Sequence, residues 1–271
     1  MAATARQENR HPSGGGDGVV ARPPLGLFRG SPAARRYAVL VLTPRFEQAL
    51  VYACRLHATQ LRKGSATPYV AHLLAVAALV LEHGGSEDQA IAALLHDAVE
   101  DQGGQKTLAA IRRRFGPVVA GLVLACSDTD VTPKPPWRPR KEAYLEHLRT
   151  APAAVRLISA ADKVHNARST VADLRAQGPR VWKRFHAGPA EQLWYYRSLV
   201  AIFQRRGPRR LAEELARVTS EMEALVTRPA AKRAAPRARP SRSAPAPARA
   251  RPATAATPRS TRRGTPAARR R

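Results

Sequence analysis

Apolar residues recur at helical spacing from about Thr43 to about Thr227, and no stretch alternates as a half-buried strand would. Thr43-Pro44 reads as an N-cap followed by proline at the first helical position, and "FEQALVYACRLHATQL" continues as an amphipathic helix. "PYVAHLLAVAALVLEHGG" predicts a mostly apolar helix that stops on two glycines. "SEDQAIAALLHDAVED" opens with Ser86 and has Gln89 three residues later, a capping box, and predicts one helix running to Asp101. "TLAAIRRRFG" and "PVVAGLVLACSD" predict two short helices divided at Gly116-Pro117, and "KPPWRP" reads as a loop. "RKEAYLEHLRT", "PAAVRLISAADKVHNARSTVADLRAQG" and the run around "AEQLWYYRSLVAIFQRR" are helical again, and "RRLAEELARVTSEMEALV" is a last amphipathic helix. The expectation is an all-α bundle over residues 43–227, without internal repeats.

Charge separates this bundle from its flanks. The chain carries a formal net charge of +26, yet residues 228–271 hold 14 Lys+Arg and no Asp or Glu. The other residues keep a balance of +12. The 228–271 tail is Ala, Pro, Arg, Ser and Thr, with almost no large apolar side chain to offset the entropy of ordering it. Residues 1–42 are similarly rich in Gly, Pro and Arg. Both segments are expected to be disordered. The tail is either a solubilising appendage or a tether to a polyanion such as nucleic acid or a ribosome. No apolar run reaches the length of a membrane span. Cys54 and Cys126 lie far apart without CxxC spacing, so they read as two buried small hydrophobes, in keeping with a reducing, cytoplasmic location.

One stretch concentrates ionisable groups against this background. "AALLHDAVEDQGG" sets His96, Asp97, Glu100 and Asp101 within six positions at the end of an apolar run. Turned at about 100° per residue, Glu100 falls about 40° from His96, beside the arc of Ile91, Leu94 and Leu95. The polar groups gather at the edge of a core. Adjacent His and Asp can reach one ion, with His72 and Asp162, each inside an apolar helix, as candidates to complete the set. Two imidazoles and two carboxylates suit Mn²⁺ or Fe²⁺ better than a closed zinc site.

Four segments together carry a resemblance: "RKGSATPYVAH", "ALLHDAVED", "FGPVVAGLV" and "ADKVHNARS". In order and spacing the chain resembles the HD superfamily of metal-dependent phosphohydrolases, most of all the alarmone hydrolase domain of the Rel/SpoT enzymes and the small alarmone hydrolases, over about residues 44–205. The resemblance implies an HD-domain bundle with one Mn²⁺ per chain held by His72, His96, Asp97 and Asp162. It implies that Glu100 and Asp101 orient and activate the attacking water. It sets Arg62 and Lys63 beside the nucleotide base and phosphates, and Asn166 and Ser169 against the nucleotide. The segment "WRPRKEAYLEHL" resembles one whose basic residues meet the 5′ phosphates, which makes Arg138, Arg140 and Lys141 candidates. Lys163 stands where arginine is frequent, and the Pro-rich loop before Arg140 departs from the pattern.

The implied activity is removal of the 3′ pyrophosphate from guanosine tetra- or pentaphosphate, with no synthetase region alongside. The small-molecule partner is then a nucleotide. Two other readings stay open at this level: an HD phosphohydrolase acting on another nucleotide, and an idle HD fold in a basic nucleic-acid-associated protein.

Overall fold

The computed structural model describes residues 41–129 and 133–227; the expectations of disorder at 1–42 and 228–271 fall almost wholly outside them. The described residues form nine α-helices and one short 3-10 helix, with no strand beyond an isolated bridge between Leu61 and Pro68. None of these helices is long and apolar enough to cross a membrane.

Helix α1 (Pro44–Leu56) starts as its sequence dictates: the Thr43 hydroxyl accepts from the Arg45 amide, and Pro44 takes the first position, where no N–H is needed. A loop then turns at Arg62-Lys63-Gly64-Ser65, with Ser65 N–H donating to the Arg62 carbonyl. Gly64 sits at φ 74°, a left-handed conformation that a β-carbon penalises. That turn lifts Arg62 and Lys63 onto the rim of the site.

Helix α2 (Val70–Glu82) is nearly apolar throughout and is buried accordingly, through Leu73, Val76, Ala77, Leu79 and Val80. Helix α3 (Glu87–Leu95) begins with the expected capping box: Ser86 Oγ accepts from Gln89 N–H, and the Gln89 side chain accepts from Ser86 N–H. Its residues Ala90 to Leu95 are all buried. Ser86→Ala is expected to cost about 1 kcal/mol, the usual value of an N-cap, and to lower Tm by about 2–4 °C in a thermal melt.

The expected single helix from Ser86 to Asp101 is corrected. It breaks at His96-Asp97, and a separate turn, α4 (Ala98–Asp101), follows. The His96 ring hydrogen-bonds the Ala93 carbonyl at 2.9 Å, competing with the backbone for that acceptor, and Asp97 relaxes to φ −92°, ψ −3°. Helix α5 (Gly104–Cys126) is kinked where the sequence indicates: Gly116 lies at φ 90°, outside the helical range, and Pro117 restarts the helix.

Helix α6 (Trp137–Thr150) also corrects an expectation, since "WRP" is its first turn and not loop. Pro139 falls at the third helical position, where a missing N–H costs nothing. Helix α7 (Ala153–Gln177) packs against α2, α3, α5, α8 (Pro189–Arg206) and α9 (Arg209–Thr227) and is the axis of the bundle. Tyr195 and Tyr196 on α8 are buried. Cys54 is exposed, against the expectation that both cysteines are buried, because it faces away from the Ala49–Ala53 stripe of α1.

Candidate metal centre and nucleotide cavity

Three helices that meet in the core each deliver one part of a polar cluster. His72 comes from α2, His96 and Asp97 from the α3–α4 break, and Asp162 from the middle of α7. His72, His96 and Asp162 are 1%, 2% and 5% exposed, far too buried for polar groups that have nothing to bind. The break at His96-Asp97 is what turns both side chains toward the same point.

Each imidazole has one nitrogen committed. His72 Nδ1 is 2.8 Å from His165 Nδ1, and His96 Nδ1 is 2.9 Å from the Ala93 carbonyl. The opposite nitrogens, both Nε2, are buried without a hydrogen bond. They face carboxylate oxygens instead. Asp97 Oδ2 is 3.1 Å from His96 Nε2 and 3.6 Å from His72 Nε2; Asp162 Oδ1 is 3.7 Å and 3.3 Å from the same atoms. Ligand atoms held at about 2.1 Å from one ion are themselves about 3.0–3.4 Å apart; two of these separations fall in that range and two lie just beyond it, so a small inward shift would bring all four atoms onto one divalent ion. His72, His96 and Asp162 form the one compact metal-ligating group among the described residues, and Asp97 Oδ2 faces both imidazoles beside it.

The electrostatics point the same way. Burial works against the charged forms of His96, Asp97 and Asp162, yet attraction to neighbouring groups of opposite charge prevails. Asp97 and Asp162 hold the His96 imidazole well above its usual pKa, His96 and His72 hold the Asp97 carboxyl well below its own, and Lys163 and then the two imidazoles do the same for Asp162.

Neighbouring side chains hold these groups in place. Tyr69, three residues before His72, donates its hydroxyl to Asp97 Oδ2 at 2.6 Å. Asp162 Oδ1 accepts from Asn166 Nδ2, and Asp162 Oδ2 accepts from Lys163 Nζ, both at 2.5 Å. His165 is pushed down to about 4 by burial and by the neighbouring His72 and Arg62, so it stays neutral and can accept from His72 Nδ1–H.

The cluster opens into a cavity of about 630 Å³. Asp162, His165, Asn166 and Ser169 fall at i, i+3, i+4 and i+7, one stripe of α7, and all four line it. Arg62 and Lys63 line the loop side, and Arg62 Nη2 donates to Asn166 Oδ1 at 2.7 Å. Glu100 and Asp101 line the α4 side. Gln60 Nε2 donates to Asp101 Oδ2 at 2.9 Å, and Lys134 Nζ bridges Glu100 and Asp101 at 2.7 and 3.3 Å. Burial and then the charges of Asp128 and Asp97 raise Glu100 to about 6, against the pull of Lys134.

Of the three basic candidates on α6, only Lys141 reaches the cavity wall. Arg140 is held at 2.5 Å by Asp128, which also binds Lys141. Arg138 lies over the Trp194 ring at 3.3 Å and pairs with Glu142 and Glu191. Sequence reasoning assigned no role to Tyr69, Gln60, Lys134 or Asp128. Of these, Tyr69 alone had a local signal, its position one turn ahead of a buried histidine.

Comparison with known proteins follows this geometry. The HD domain family matches residues 49–190. The chain is 36% identical over 138 residues to the guanosine-3′,5′-bis(diphosphate) 3′-pyrophosphohydrolase MESH1 of Xenopus tropicalis, covering 50% of this chain and 72% of that protein. It is 37% identical over 137 residues to the bifunctional (p)ppGpp synthase/hydrolase SpoT of Escherichia coli, covering 48% of this chain and 18% of that protein. A solved structure of a metazoan ortholog of SpoT that hydrolyzes ppGpp superposes with a TM-score of 0.57 at 27% identity, covering 67% of this chain and 97% of that one.

Proposed function

Because the chain belongs to the HD domain family, we propose that it is a divalent-metal-dependent phosphohydrolase that removes the 3′ pyrophosphate of guanosine tetra- and pentaphosphate. The observation that carries this reading is the convergence of two unpartnered Nε2 atoms and the Asp162 carboxylate at one end of a cavity whose other walls carry Glu100, Asp101, Arg62 and Lys63. The ion in this reading is Mn²⁺, which a mixed imidazole and carboxylate set suits as it does Fe²⁺, with His72, His96, Asp97 and Asp162 as its ligands and one ion per chain. When bound, such an ion supplies Lewis-acid polarisation of a phosphoryl oxygen and acidifies a water molecule.

The chain's own groups do the rest. Glu100, poised near 6, takes a proton from the attacking water. Asp101, oriented by Gln60, aligns that water. The water oxygen bonds to the phosphorus next to the ribose, the bond from that phosphorus to O3′ breaks, and the proton ends on O3′. Products are GDP or GTP and pyrophosphate. Arg62 and Lys63 hold the base side of the nucleotide, and Asn166 and Ser169 the ribose. Lys134 and Lys141 offset the phosphate charge, and Arg140 acts behind them through Asp128. The retention of Glu100 and Asp101 on the cavity wall argues against an idle fold. The test is a hydrolysis screen over a nucleotide panel that includes ppGpp, with Mn²⁺, Mg²⁺ and Zn²⁺ in turn. Turnover of other nucleotides but not ppGpp would overturn the substrate.

This reading sets the protein in the cytoplasm, with the nucleotide pool. The basic tail is a polyanion tether, supported by its 14 Lys+Arg without acids. A chain ending at Thr227 is expected to keep hydrolysis and to lose most affinity for duplex DNA or RNA, and the full chain's affinity should fall steeply with salt. Equal binding by both chains across a salt titration would sink the tether.

A further inference from the structure

One end of the cavity is not explained by the metal centre or by the nucleoside wall. Two lysines converge there from different helices. Lys163 of α7 and Lys141 of α6 both line it, with side chains only 15% and 16% exposed. Each has a single carboxylate partner, Asp162 for Lys163 and Asp128 for Lys141. An ammonium has three donors, so each retains capacity. Burial, and then the charge of Lys163, lowers the pKa of Lys141.

Tyr195 of α8 closes this end. It lines the cavity, and Lys141 Nζ lies 5.3 Å from its ring centroid. It is 4% exposed and its hydroxyl is buried without a hydrogen bond, in the same condition as the two metal-facing Nε2 atoms. An unmet buried hydroxyl is costly, and this one belongs to a residue of the cavity wall.

We infer that Lys163, Lys141 and the Tyr195 hydroxyl form a subsite for the outer phosphate of the 3′-diphosphate, and hence for the pyrophosphate product. This rests on the hydrolase reading. Position decides between the two diphosphates of the nucleotide. Lys163 binds one oxygen of Asp162 while the other oxygen faces His72 and His96, so its ammonium stands one carboxylate away from the metal centre. A phosphate bonded to the one under attack falls within that reach. Lys141 thereby serves the 3′ arm, not the 5′ arm that the resemblance suggested.

The test is calorimetric titration of pyrophosphate, and separately of GDP, into the full chain loaded with divalent ion. Tyr195→Phe keeps the ring and removes only the hydroxyl; it should weaken pyrophosphate about 10-fold and leave GDP within about 2-fold. Lys163→Met should weaken pyrophosphate about 10- to 100-fold. Unchanged pyrophosphate binding in both variants overturns the subsite, and leaves the hydrolase reading standing if the unaltered chain still cleaves ppGpp. Equal weakening of GDP overturns it by moving the site to the 5′ arm. An unaltered chain that leaves ppGpp intact overturns the hydrolase reading, while loss of pyrophosphate affinity in the variants would still uphold the subsite.

Discussion

Asp97→Ala is expected to purify without its divalent ion and to lose hydrolysis by at least about 10³-fold, the scale of several kcal/mol that a bound ion contributes to such chemistry. Asp97 Oδ2 stands 3.1 Å from His96 Nε2 and 3.6 Å from His72 Nε2, beside the Asp162 carboxylate. It is a cleaner choice than Asp162, whose removal would strand the buried Lys163 ammonium and damage the fold as well as the site. Metal analysis of the purified variant, beside a circular dichroism spectrum, separates the two effects. Unchanged occupancy in a folded variant would remove Asp97 from the ligand set and leave His72, His96 and Asp162.

Glu100→Gln should separate chemistry from binding. The amide keeps the shape of the side chain but cannot take a proton, so kcat should drop about 10²- to 10⁴-fold while the ion stays bound. The same residue predicts the pH profile of the unaltered enzyme. Burial and the neighbouring acids raise Glu100 to about 6, and a general base works only when deprotonated. Activity is therefore full above that value and is lost as pH falls through about 6. The limb should be absent from whatever activity the variant retains. Metal occupancy measured across the same range keeps ligand protonation apart from base protonation. A variant with normal turnover would take the role away from Glu100.

The helices were legible because their faces are periodic and their ends are marked. Thr43-Pro44, the Ser86–Gln89 box and the Gly116-Pro117 kink all stand where local chemistry puts them. The break at His96-Asp97 was not, since the apolar period runs on through Ala98 and Val99, which are buried as well. What stops the helix is a side chain taking a backbone carbonyl, and periodicity does not register that. The start of α6 was misread because proline in a first turn looks like a loop signal. His72 and Asp162 stood out as polar residues inside apolar runs. Their supporting partners did not, because the pairings span long separations. Gln60 reaches Asp101 across 41 positions, Arg62 reaches Asn166 across 104, and Lys134 reaches Glu100 across 34. Such contacts join the loop before α2 and the loop before α6 to α4 and α7, and belong to no one segment.

The central claim is that the buried histidine and aspartate cluster drives cleavage of a 3′ pyrophosphate. Incubation of the full, metal-loaded chain with ppGpp in ¹⁸O-labelled water, with products separated by anion exchange and weighed by mass spectrometry, tests it most directly. The account predicts GDP and pyrophosphate in equal amounts, with the label in pyrophosphate and none in GDP, and no reaction once a chelator has removed the ion. Intact ppGpp, release of orthophosphate, or cleavage that persists in the chelated protein would contradict it.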